Sequence, residues 1–301
     1  MNQVYMPSKI QFLVDKKPFT MDEIGMSGNQ VLIFEDMVLK IEDSDAFVTE
    51  QVRIMQWLKG KIPVPQVLAY EEENGKSYLL MSKISGEMSC DTYYLEHPQI
   101  LLEALSCGLK MLWEMDINEC PSIRDLDVVL KEARLRVDSN LVDLDNVEPT
   151  TFGEGGFENP KHLLEWLESN RPVFEPVLSH GDYCLPNIFL KNGQITGFID
   201  LGKTGIGDKW NDIALCYRSL KHNFDGTYGR DPSDAERLAE ISSTRRGRCP
   251  RLKVRRIGGK PRRAIQHLPY SPNNRGRSGR PPRGVGPPPP AVPARKSGRR
   301  G

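Results

Sequence analysis

The stretch Ser179–Asp200, "SHGDYCLPNIFLKNGQITGFID", decides how the rest of the chain is read. Its Asn192-Gly193 pair is a strong hairpin signal, because both residues tolerate positive φ in a two-residue turn. With those two at the tip, Lys191 faces Gln194, Leu190 faces Ile195 and Asn187 faces Phe198. Asp200 then lies two residues beyond the partner of Asn187, at the hairpin's open end. An amide oxygen and a carboxylate at one mouth suit Mg²⁺, which takes oxygen ligands at about 2.1 Å and commonly shares them with phosphate. Asp182 lies five residues before Asn187, in the loop entering the first strand, near the metal but not obliged to bind it. That position suits a carboxylate accepting, or orienting, the proton of an attacking hydroxyl. His180 reads as a brace for the loop. Spacing alone leaves a plainer alternative open, since Asp and Asn also favour turns and caps.

Outward from this hairpin, the chain divides into three regions. Residues 1–88 are strand-rich. "QVLIFEDMVLKIE" holds two β-rich runs joined at Glu35-Asp36, and "KSYLLMSKI" is another strand. Between them "AFVTEQVRIMQWLKG" is an amphipathic helix with Gly60 where a C-cap belongs. "IPVPQVLAY" is too proline-rich for a helix and reads as an extended connection. Residues 89–229 are mainly helical. Apolar recurrence at three- and four-residue steps marks "PQILLEALSCGLKMLWEMD", "DVVLKEARLRVDSNLVDLD" and "NPKHLLEWLESN". Residues 230–301 are Arg, Pro and Gly with few apolar side chains, so they read as a disordered tail unable to offset its chain entropy by burial. The fold class expected is α+β: a strand-rich lobe, a helical lobe and a cleft between them.

Charge sharpens the division. No Asp or Glu occurs in residues 241–301, against 18 Lys and Arg. Residues 1–240 therefore hold all 40 acids with 23 basic residues, a charge of −17. A body so acidic attracts cationic partners and repels nucleic acid. The six cysteines are scattered without metal-ligand spacing and read as reduced thiols of a cytoplasmic protein. There is no signal-peptide pattern, and no run approaches the ~20 apolar residues of a membrane span.

H-G-D-x-x-x-x-N followed by an apolar strand and I-D resembles the catalytic segment of the aminoglycoside phosphotransferases, which share the protein-kinase-like fold. The likeness continues through "FIDLGKTGIGDKWNDIALCYRSL", which is similar to the 3′-phosphotransferases in particular, and through "GMSG", "WLKGKIPVPQVL" and "LLMSKISG". It covers residues 20–229, about 70% of the chain. The resemblance implies a bilobal fold and an ATP- and Mg²⁺-dependent kinase that confers antibiotic resistance by phosphorylating an aminoglycoside hydroxyl. By that likeness Asp182 becomes the catalytic base or hydroxyl-orienting residue, with Asn187 and Asp200 the magnesium ligands. The loop around Gly25, Ser27 and Gly28 becomes a flap over ATP, with Ser27 near the transferred phosphate. Lys40 contacts the α- and β-phosphates, and the hinge at residues 80–84, including Met81, meets adenine.

Two departures stand out. The family carries a Glu six residues before the helix Trp, here Trp57, and that position is Gln51. At 100° per residue Gln51 falls mid-face among Phe47, Val48, Met55 and Leu58, so it reads as the inward residue, offering a hydrogen bond but no ion pair. The alternative is a shifted register in which Glu50 reaches Lys40. The second departure is the end of the likeness near Gly229, where an acidic, aromatic C-terminus is expected. The basic tail reads as out-of-frame or fused sequence, with a genuine basic extension as the alternative.

The acceptor implied is a small polycation, held by carboxylates for which Glu148, Glu154, Glu158, Asp208 and Asp225 are candidates. The chain so read binds no nucleic acid through its folded body and no membrane, and its oligomeric state is open. Two other readings stay in view: a kinase of the same fold acting on choline, a sugar or an amino-alcohol, and a nucleotide-binding remnant without turnover.

Overall fold

The structure is a computed structural model describing residues 4–21, 30–145, 147–148 and 150–228. The basic tail, the flap with Ser27 and the 230–301 boundary fall outside the described residues. In chain order the helices are α1 (Ser8–Val14), α2 (Ala46–Leu58), α3 (Thr92–Glu96), α4 (Pro98–Trp113), α5 (Leu126–Asp138), α6 (Pro160–Ser169) and α7 (Lys209–Phe224). The strands are β1 (Thr20–Met21), β2 (Gln30–Ile33), β3 (Met37–Asp43), β4 (Val67–Glu73), β5 (Lys76–Ser82), β6 (Glu87–Met88), β7 (Pro176–Ser179), β8 (Ile188–Lys191), β9 (Gln194–Phe198) and β10 (Gly205–Asp208).

The first five strands form one antiparallel sheet in the order β1-β2-β3-β5-β4. Its faces follow from the period-2 alternation of β3. Met37, Leu39 and Ile41 are buried on one side, in a cluster with Ile10 and Val14 of α1, Leu32, Tyr78 and Leu80. Val38, Lys40 and Glu42 alternate with them and point to the other side, the side of α2. Asp45 caps α2 by accepting from the Val48 backbone N–H at 3.0 Å, which satisfies one of the unpaired N–H groups of its first turn. The helix then buries Val48, Gln51, Val52, Ile54, Met55 and Leu58.

A second, larger cluster joins that helix face to the helical lobe. Leu101, Ala104, Leu105 and Leu112 of α4 meet Leu178, Tyr183, Leu185, Ile188, Leu190 and Phe198 from β7, the following loop and the β8–β9 hairpin. The hairpin is therefore built into the core beneath the cleft and cannot slide, since a one-residue slip would turn its apolar face outward. Among the described residues no helix is long and apolar enough to cross a membrane.

Three local expectations are corrected. The hairpin tip is as read, with Lys191 opposite Gln194 and Leu190 opposite Ile195, and with both Asn192 and Gly193 at positive φ. Beyond it the register shifts, because Phe189 faces Gly197 and Ile188, not Asn187, faces Phe198. The extra residue is Thr196, whose hydroxyl donates to the Ser85 carbonyl at 2.6 Å and so fixes the bulge. The helical pattern of residues 127–145 stops at Asp138, where Asn140 takes φ 53° and polar residues outnumber apolar ones. The extended stretch at residues 62–70 is a connection only as far as Gln66, since β4 begins at Val67.

Candidate active site

The loop after β7 carries Asp182, and buried polar groups hold it in place. Asp212, on the first turn of α7, is fully buried. Its carboxylate accepts from the Ser179 hydroxyl at 3.0 Å, from the His180 backbone N–H at 2.9 Å and from the Gly181 backbone N–H at 2.9 Å. Burial pushes its pKa up to about 6 against the pull of those three donors. From the other flank, the Thr204 hydroxyl donates to the His180 carbonyl at 2.9 Å. Gly181 sits at φ 79° against the Lys203 carbonyl, so a side chain there would meet backbone.

His180 is fully buried, and burial pushes its pKa down to about 4, so the ring is neutral at pH 7. Its Nδ1 accepts from the Asp182 backbone N–H at 3.3 Å. It braces the loop and does not face the cleft as an acid. Asp182 is half-buried, and its Oδ1 accepts from the Cys184 thiol at 3.1 Å.

Asn187 is buried and donates from Nδ2 to the Asp182 carbonyl at 3.0 Å. That bond leaves its amide oxygen available to a ligand. The Ile199 backbone N–H donates to the Asn187 carbonyl at 3.0 Å, which brings the next residue, Asp200, alongside. Asp200 adopts φ 56°, ψ 54°, a left-handed geometry that Asp tolerates better than most residues. Asn187 and Asp200 offer oxygen donors alone, and only two of them. Mg²⁺ is commonly held in that way, with water and phosphate oxygens completing its octahedron.

From the sheet, the Lys40 ammonium reaches Asp200 Oδ1 at 3.3 Å and Glu42 Oε2 at 3.6 Å. Burial works against the lysine's charge, yet Asp200 and then Glu42 outweigh it and raise its pKa. Gln51 is buried on the inward face of α2 and packs toward Gly202, just past Asp200. Glu50 points elsewhere and pairs with Arg53 at 2.5 Å. Met81 is half-buried on β5, between Val38 and Val67. Thus Asp182, Asn187, Asp200 and Lys40 come together at one cleft, Gln51 packs beside Gly202, Met81 lies on strand β5, and Ser27 lies outside the described residues.

Sequence spacing missed Asp212, which lies thirty residues from the loop it anchors, and Glu42, whose place beside Lys40 follows from the strand it shares. Among the acceptor candidates, Glu148 is committed to a network with Arg218 (2.9 Å), Lys221 (3.3 Å) and His222 (2.9 Å), which holds its carboxyl below the usual range. Asp208 caps α7, Asp225 accepts from Thr227, and Glu158 pairs with His162. Each of these has a structural task where it stands.

An antiparallel sheet set over a helical lobe, with a loop Asp, a hairpin-mouth Asn and Asp and a strand Lys converging between them, defines a protein-kinase-like phosphotransferase. Solved structures carry the same fold. An aminoglycoside-3′-phosphotransferase of type VIII aligns with a TM-score of 0.61 at 24% identity, over 77% of this chain and 89% of that one. An aminoglycoside phosphotransferase of Streptomyces rimosus aligns with a TM-score of 0.60 at 23% identity, over 80% and 94% of the two chains. Residues 25–245 match the family model of the phosphotransferase enzyme family, APH, and the chain belongs to that family. The match runs past Gly229, so the family likeness extends beyond the expected end at residue 229 and into residues 230–245. Among curated relatives, an aminoglycoside 3′-phosphotransferase of Enterococcus faecalis is 36% identical over 71% of this chain and 84% of its own length. One of Streptomyces fradiae is 30% identical over 75% and 84%.

Proposed function

We propose that this chain is an aminoglycoside 3′-phosphotransferase that moves the γ-phosphoryl group of ATP to a drug hydroxyl in the cytoplasm and so confers resistance. The observation that carries the reading is the convergence of Asp182, Asn187, Asp200 and Lys40, supported by the family membership and by relatives of that name. Asp182 accepts or orients the hydroxyl proton, held at its post by the backbone bonds to Asp212. Lys40 faces the nucleotide phosphates. Asn187 and Asp200 would hold Mg²⁺, which would neutralise charge developing on the transferred phosphoryl group. Phosphoryl transfer is mostly positioning and charge stabilisation, which is what a buried, multiply anchored loop provides. The −17 charge of residues 1–240 suits a polycationic acceptor.

The experiment is phosphate transfer from labelled ATP to kanamycin and to its 3′-deoxy analogue, with choline as a third acceptor. Labelling of kanamycin alone is expected. Labelling of choline would move the chain to another acceptor class. Equal labelling of the deoxy analogue would refute the 3′ assignment.

A further inference from the structure

The inward position of α2, where a carboxylate would steady the strand lysine, is the neutral Gln51, yet Lys40 is not left without a steady counter-charge. We propose that Glu42, two residues along the same strand, is the positioning residue that holds Lys40 for nucleotide phosphate, in place of a carboxylate from α2. The inference rests on the nucleotide-binding part of the functional reading above.

Alternation along β3 puts Lys40 and Glu42 on one face, the face turned toward α2 and away from the α1 cluster. Their side chains are 17% and 13% exposed, so the pair is sheltered from solvent and from screening by salt. The carboxylates within 4.0 Å of the Lys40 ammonium, among the described residues, are those of Glu42 and Asp200. Asp200 is also the residue suited to Mg²⁺, and a carboxylate that serves a metal ion no longer neutralises a lysine alone. Glu42 stands on the strand itself, two residues from the lysine it faces. Glu50, the acid next to Gln51 on α2, is turned away and occupied by Arg53. The partnership also explains how Gln51 is tolerated: a neutral amide beside Gly202 fills the inward site while the charge is supplied from the strand.

The test is calorimetric binding of a non-hydrolysable ATP analogue with Mg²⁺ to wild type, Glu42→Gln, Lys40→Ala, the Lys40→Ala/Glu42→Gln double variant and Glu50→Gln, each checked for its melting temperature. Glu42→Gln is expected to weaken binding about tenfold, and Glu50→Gln to leave it unchanged. In the double variant the loss should equal that of Lys40→Ala alone, because Glu42 acts only through the lysine. A purely structural Glu42 would instead add its own loss to that of Lys40→Ala, and that additivity would overturn the proposal. So would unchanged binding in Glu42→Gln, or a comparable loss in Glu50→Gln. Wild type that binds no nucleotide would overturn the functional reading itself and this inference with it, an outcome distinct from the others.

Discussion

Replacing Asp212 by Ala removes the acceptor for three donors at once: the Ser179 hydroxyl and the His180 and Gly181 backbone N–H groups. Each buried donor left unsatisfied costs about 1–3 kcal/mol, so the gross loss is about 3–9 kcal/mol. Against this, the carboxylate is itself held unfavourably, since burial raises its pKa from 3.8 to about 6. At ~1.4 kcal/mol per unit, removing it recovers about 3 kcal/mol at neutral pH. The net expectation is a destabilisation of about 0–6 kcal/mol, centred near 3, at pH 7.5, read by urea unfolding. The pH dependence gives an independent check. A raised folded-state pKa means that the native protein binds the extra proton, so this group's contribution to stability is fully present below about 3.8 and is lost as pH rises through about 6. Wild type should therefore carry a component that favours folding as pH falls from 7 toward 4, and Asp212→Ala should lack it. Turnover should fall as well, because the loop bearing Asp182 loses its anchor. A loss below about 1 kcal/mol with an unchanged pH profile would refute the reasoning.

Burial of His180 has the opposite sign. Its folded pKa of about 4 lies below the ordinary 6.5, so its contribution to stability is present above pH 6.5 and is lost as pH falls toward 4. His180→Gln should therefore be less acid-sensitive than wild type over that window, as followed by thermal melting. Gly108→Ala, in the middle of α4, gains about 1 kcal/mol in helix propensity. Its methyl group would collide with the Tyr183 hydroxyl and lie 3.1 Å from Ile195 Cδ1, and overpacking of about 1–3 kcal/mol makes a lower melting temperature the expected result. Asn187→Ala should raise the Mg²⁺ concentration needed for half-maximal turnover by about tenfold or more, measured by metal titration at saturating ATP.

The parts of this molecule that were legible in its sequence are those governed by local rules. Asn192-Gly193 names its own turn, and the apolar spacing of residues 46–58 and 98–113 names α2 and α4. Pairings between distant segments were not legible. β7 and β10 join Ser179 to Gly205 across the whole hairpin, and nothing in either four-residue strand announces the other. The bulge at Thr196 is one residue long, and the alternation on either side of it is too brief to reveal a shift. The site divides in the same way. Asp182, Asn187 and Asp200 lie on one hairpin and could be grouped by counting, whereas Asp212 and Glu42 acquire their roles only when α7 docks beneath the loop and β3 turns a face to the cleft. Glu148 shows the converse: its polar sequence context makes it a candidate carboxylate for a cationic substrate, and its neighbours are Arg218, Lys221 and His222.

The most direct test of the account compares Asp182→Ala with wild type in two measurements on the same preparations, the rate of phosphate transfer from ATP to kanamycin and the affinity for the ATP analogue with Mg²⁺. Asp182 touches the acceptor hydroxyl in this account and does not hold the nucleotide, so transfer should fall by about 10²–10⁴-fold while nucleotide affinity stays within a factor of about three. Near-normal transfer by Asp182→Ala, or a loss of nucleotide binding matching the loss of rate, would contradict it.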